Sequence, residues 1–135
     1  MTAYLQEQPD VLLVYLFGSY ARGRARPGSD LDIALLLDEQ GRSSFELLER
    51  RLDLAVRAEE LLGQEVDVVL LNRASLLLQG QVLGEGRLLY AMDKRRQVEY
   101  EARARALYFD FQPRLRQHRD ALLQAAREGR LGRPT

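Results

Sequence analysis

Apolar residues along this chain come in blocks of strand length, separated by stretches with helical spacing. Val11 to Phe17 is an unbroken apolar run of seven, which reads as a strand buried on both faces. It stops at Gly18-Ser19. Leu31 to Leu37 reads as a second strand, interrupted only by Asp32. Glu65 to Leu71 reads as a third, with Val66, Asp67 and Val68 alternating at its start. Between the second and third, Ser43-x-x-Glu46 fits a capping box. Leu47, Leu48, Leu52, Ala55, Val56, Leu61 and Leu62 then recur at helical spacing until Gly63 ends the pattern. Shorter helices are expected over 2–9, stopped by Pro9, and over 76–83. Gly84-Glu85-Gly86 reads as a turn and 87–91 as a fourth strand at a sheet edge. From Asp93 to about Arg127, Ala104, Tyr108, Phe111, Leu115, Leu122 and Ala126 form one stripe. That predicts a long helix, which Pro113 should kink or restart.

The connections set the topology. A loop between the first two strands suits antiparallel pairing, and a full helix between the second and third suits a parallel crossover. The expected fold is α/β: a small mixed sheet flanked by helices, with a long C-terminal helix. Residues 1–92 should form the core, 93–128 a helical extension of the same domain, and 129–135 a disordered tail.

At 135 residues the chain has room for one core. It contains no cysteine, which excludes disulfides, Cys-based metal sites and thiol nucleophiles. No apolar run approaches the roughly 20 residues of a membrane span. The first residues lack a basic stretch and carry Glu7 and Asp10, so no secretory signal is expected and the cytoplasm is the default address. The net charge is zero but unevenly placed. Residues 1–92 carry nine basic and fourteen acidic side chains, and residues 93–135 eleven and six. The basic end suits phosphates, an acidic partner or a solvated helix face.

Asp30 and Asp32 are one residue apart at the start of the second strand, on one face by strand alternation. Two such carboxylates repel unless a cation or proton lies between them. Oxygen-only ligands favour Mg²⁺ or Mn²⁺. The topology brings Asp67, at the start of the third strand, to the same sheet edge. Gly18 lets the backbone approach a ligand closely. Ser19 can cap a helical turn whose free N–H groups attract an anion, and Arg22 can stabilise charge on a departing group. A P-loop is excluded, because Arg24 and Ala25 stand where Lys and Ser/Thr are needed after Gly18-x4-Gly23.

The stretch GSYARGRARPGSDLDIALLL, followed by EVDVVLLN and LGEGRLLYAMD, resembles the minimal nucleotidyltransferases of the DNA polymerase β-like superfamily. Within them it resembles the antitoxins of HEPN–MNT toxin–antitoxin pairs, which adenylylate a tyrosine of a HEPN ribonuclease. The resemblance implies the polymerase β-like nucleotidyltransferase fold, ATP as substrate and two Mg²⁺ ions. It further implies catalytic and metal-binding roles for Asp30, Asp32 and Asp67, a nucleotide-binding turn at Gly18 and Ser19 with Arg22 beside it, and a HEPN toxin partner rather than nucleic acid or membrane. Docking without catalysis and transfer to a small molecule are the alternatives it leaves open. The toxin itself would need an Arg-x4-6-His arrangement, and His118 lacks an arginine at that upstream spacing.

Overall fold

A computed structural model describes residues 1–21, 23 and 30–127. The elements run α1 (Thr2–Glu7), β1 (Val11–Phe17), α2 (Gly18–Ala21), β2 (Leu31–Leu37), α3 (Ser44–Leu62), β3 (Val66–Leu70), α4 (Leu76–Glu85), β4 (Arg87–Ala91) and α5 (Lys94–Arg127). Among the described residues the strands form one mixed sheet in the order β3-β2-β1-β4. β1 pairs antiparallel with β2 and with β4, and β2 pairs parallel with β3. The unbroken apolar run at β1 follows from its place: the strand is central, and all seven of its residues are buried.

Alternation along the strands divides the core in two. Val14, Leu16, Ile33, Leu35, Val66 and Val68 face α1 and α3, where they meet Leu5, Leu47, Leu54 and Ala58. Leu13, Tyr15, Phe17, Ala34 and Leu71 face α4 and α5, where they meet Val82, Tyr100 and Ala104. Two side-chain bonds fasten the second layer. Tyr15 donates to Glu101 at 2.7 Å and Tyr100 to Gln79 at 2.8 Å. Burial, reinforced by the Glu101 hydrogen bond and charge, pushes the Tyr15 phenol well above its ordinary range and keeps it a donor. Burial likewise pushes Tyr100 up to about 12.

The parallel β2–β3 ladder is closed at both ends. Leu31 N–H donates to the Glu65 carbonyl at 3.2 Å. At the far end Asn72 acts as an extra strand residue: it accepts from Leu37 N–H at 2.9 Å and donates to the Leu37 carbonyl at 2.8 Å. The outer edge of β3 is covered by α3, with Val66 N–H donating to Glu59 and Arg51 donating to the Val68 carbonyl. An open edge would invite pairing with another chain.

Three expectations need correction. α4 runs through Gly84 to Glu85, so the predicted turn is shorter and consists of Gly86, whose N–H bonds the Val82 carbonyl. α5 is one helix of 34 residues that continues through Pro113. A proline removes one ladder bond, and the Ala-, Arg-, Leu- and Gln-rich flanks favour helix strongly enough to carry on. The buried side of α3 is Leu47, Leu54 and Ala58. Leu48, Leu52, Val56, Leu61 and Leu62 of the predicted face are exposed. The helix is apolar on two sides, and spacing alone does not say which side meets the sheet. The expected tail at 129–135 lies outside the described residues.

Asp10 ties the start of β1 to the start of α3. It accepts from Arg42 at 2.7 Å and from Arg50 at 2.9 and 3.0 Å. Burial alone would push its carboxyl up, but the hydrogen bonds from Arg50 and Arg42, with the Arg50 charge, outweigh this and hold it at about 2. That lies below the ordinary aspartate value of about 3.9. The folded chain therefore gains stability above pH 4 that disappears as pH falls from about 4 toward 2. Asp10→Asn should cost about 2 kcal/mol in denaturant unfolding at pH 7. The difference from wild type should shrink at pH 3; an equal loss at both pH values would contradict the ion-pair account.

Candidate active site at the Gly18 edge of the sheet

The C-terminal end of β1 and the N-terminal ends of β2 and β3 share one edge of the sheet, as the connections predict. Phe17 is the register partner of Asp32, and Asp32 of Asp67. Neighbouring strands lie about 4.8 Å apart, and register partners project to the same face. The two carboxylates therefore stand side by side on the layer that holds Phe17 and Ala34, where the core thins toward solvent. Asp32 is half-buried and Asp67 exposed.

Gly18 follows directly, with φ +72°. A Cβ on it would run into the Asp32 carboxylate. The glycine is required on two counts: a left-handed backbone, and the space the Asp32 carboxylate occupies. Gly18–Ala21 form one helical turn, and Tyr20 and Ala21 pack against the α3-side core. The Tyr20 hydroxyl accepts from Gln64 at 3.3 Å. The turn carrying Ser19 is held from below by its neighbours.

The predicted residues are placed as follows. Gly18, Asp32 and Asp67 are brought together. Ser19 belongs to the same turn by its backbone. Asp30 is exposed and precedes β2, which starts at Leu31. Its alternation with Asp32 is thus not enforced by the ladder. Arg22 lies outside the described residues, as do residues 24–29. Among the described residues, no three His, Cys, Asp or Glu side chains are arranged to hold a metal ion. The donor pair that is formed suits a hard divalent cation nonetheless, since both ligands are carboxylate oxygens and their mutual repulsion favours a cation between them. Sequence reasoning missed Asn72, which fixes the β2–β3 register. Its signal was an amide directly after an apolar strand and before a helix. A cavity of about 540 Å³ lined by Leu48, Arg51, Val69, Arg73, Ser75 and Leu78 lies at the other end of β3 and belongs to none of this.

Residues 1–95 match the family described as polymerase beta, nucleotidyltransferase. A protein adenylyltransferase of Shewanella oneidensis, MntA, is 37% identical over 84 residues, covering 61% of this chain and 55% of that protein. The match thus spans about half the length of that relative. A putative protein adenylyltransferase of Methanocaldococcus jannaschii, MJ0435, is 40% identical over 70 residues, covering 52% of this chain and 70% of that one. A solved toxin–antitoxin structure with AMP-PNP is similar in fold at a TM-score of 0.73, with 28% identity over 90% of this chain and 94% of that chain.

Gly18 and Gly41 share φ +72°, but a Cβ at Gly41 would meet nothing within 4 Å. Alanine at either should cost about 1–2 kcal/mol of backbone strain. Gly18→Ala should cost measurably more in denaturant unfolding, because it also displaces Asp32. Equal losses would show that the close approach does not matter.

Proposed function

The chain belongs to the polymerase beta nucleotidyltransferase family, and from that premise we propose that it is a Mg²⁺-dependent protein adenylyltransferase. Its substrate is ATP, its acceptor is a tyrosine hydroxyl of a cognate HEPN toxin, and the transfer silences the toxin. The observation that carries this reading is the register pairing of Asp32 with Asp67 beside the Gly18 turn. The names of the adenylyltransferase relatives and the nucleotide-bound toxin–antitoxin neighbour support the choice of nucleotide and of partner.

In the reaction, the acceptor oxygen attacks the α-phosphorus of ATP. A new O–P bond forms as the bond to the β-phosphate oxygen breaks, and pyrophosphate leaves with the electron pair. The phenolic proton passes to the carboxylate of Asp67, the more exposed of the pair and the one nearer the open edge of the sheet. Asp32 and Asp67, with Asp30 from the lead-in to β2, would hold Mg²⁺. The bound ion would neutralise charge on the phosphates and acidify the attacking hydroxyl. The backbone N–H groups of the Gly18–Ala21 turn and the Ser19 hydroxyl hold the terminal phosphates. Arg22 offsets charge on the departing pyrophosphate. Gly18 excludes a side chain from the space where the triphosphate meets Asp32. No helix of the described residues is long and apolar enough to cross a membrane; a cytoplasmic location is part of the proposal, since the acceptor and ATP must meet there.

Labelled ATP and Mg²⁺, supplied with and without the partner protein, test the reading. Label should appear on a partner tyrosine. Asp32→Asn and Asp67→Asn should each lower the rate by at least about 100-fold, with unfolding stability unchanged or slightly raised as like charge is removed. Neutralisation of the partner without label, equally well by Asp32→Asn, would overturn the catalytic reading in favour of docking alone.

A further inference from the structure

At the end of the β2–β3 ladder away from Gly18, the start of α3, the last residues of β3 and the start of α4 enclose the cavity of about 540 Å³. Arg51 and Arg73 both line it, with Ser44, Ser75, Leu48 and Leu78 among the other walls. Among the described residues no carboxylate lines it. A cavity with two guanidinium groups and no acidic wall has the electrostatics of an anion site.

The two arginines have donor capacity to spare. Arg51 donates through Nη1 to the Val68 carbonyl at 3.1 Å. Its Nε–H is buried and has no partner among the described residues. Buried donors are ordinarily satisfied, and here the protein supplies no acceptor. Nor does any carboxylate neutralise Arg51 among the described residues. Arg73 pairs with Glu39 at 3.1 Å, but both side chains are half-exposed. Ion pairs of that kind are weak, and a guanidinium exchanges one readily for a phosphate. The backbone adds to the same field. Ser44 is the first residue of α3, a helix of 19 residues, and Ser75 is the N-cap of α4, a helix of 10. Both helices therefore begin at the cavity, where their dipoles favour negative charge. The Ser75 oxygen accepts from Leu78 N–H, which leaves its own O–H to donate.

We infer that this cavity binds the phosphate monoester of a small organic molecule. A carboxylate brings one negative charge, whereas a phosphate monoester brings nearly two and three acceptor oxygens, which suits a pair of arginines. The volume lies in the range of small-molecule sites, well beyond what a bare phosphate fills. Leu48 and Leu78 give the rest of the ligand an apolar wall. Gly18, Asp32 and Asp67 do not line the cavity, so the inference does not rest on the transfer reaction proposed above.

Backbone amide NMR of the full chain, titrated separately with ribose phosphate, AMP and inorganic phosphate, gives the test. At least one of the two esters should bind at about 1 mM or tighter, shifting the amides of residues 44–46 and 75–77. Binding of ribose phosphate and AMP alike assigns recognition to the sugar phosphate, and binding of AMP alone adds the base. Arg51→Gln and Arg73→Gln should each weaken that binding at least about tenfold, with the rest of the spectrum retained. Arg51 also covers the edge of β3, so Arg73→Gln decides the matter should Arg51→Gln fail to fold. Shifts confined to the Gly18–Ala21 turn, no shift with either ester, or affinity unchanged in Arg73→Gln would each overturn the proposal. Inorganic phosphate bound as tightly as both esters would show that the apolar wall takes no part, and would overturn it as well.

Discussion

The parallel pairing of β2 with β3 is the constraint on which the candidate site depends. A one-residue slip would turn Asp67 toward α3 and bring a valine to the open face, because strand side chains alternate. The register is fixed from both ends. Leu31 bonds Glu65 at the site end, and Asn72 makes two bonds to the backbone of Leu37 at the other. α3, the crossover that makes the pairing parallel, also guards the outer edge of β3 through Arg51 and Glu59. The helix that imposes the direction of β3 thus also keeps that strand from pairing elsewhere.

That register has an electrostatic cost. Adjacent carboxylates on neighbouring strands repel, and in a buried sheet the repulsion would be severe. The structure confines it to the strand ends, where Asp67 is exposed and Asp32 half-buried. Further along the same strands the partners are Ala34 with Val69, then Leu35 with Leu70. The apolar ladder holds the strands together and the acidic pair sits where solvent can screen it. Gly18 belongs to the same economy of space, since any side chain there would collide with Asp32.

Much of this was legible in the sequence, for identifiable reasons. β1 was legible because seven consecutive apolar residues, closed by Gly18, have the length of a strand and too much apolar surface to leave in water. The strand directions were legible because a short loop and a full helix permit different crossings. The meeting of Asp32 with Asp67 followed from those two facts. Asp30 was less legible, since alternation constrains a residue only inside the ladder, and β2 begins at Leu31. The buried side of α3 was misread because the helix has apolar rows on opposite sides, and the sheet takes only one. Pro113 was misread because a proline sets a local cost, while the flanking residues decide whether the helix can bear it. Asn72 was not singled out for the register, as its role depends on a partner 35 residues away.

α5 shows how a body can sustain a helix that reaches past it. Isolated helices shorter than about 12–15 residues are marginal in water, because the first turn is costly to form and later turns are cheap. Here the first turns are formed by docking: Tyr100 and Ala104 enter the core, and Glu101 accepts from Tyr15. The remainder extends a helix already nucleated, at the low cost of propagation. The backbone runs through Pro113 to Arg127 as a single unbroken helix. Continuity through the proline therefore sets the length of the helix, since every turn beyond it extends the turns that Tyr100 and Ala104 dock against the body.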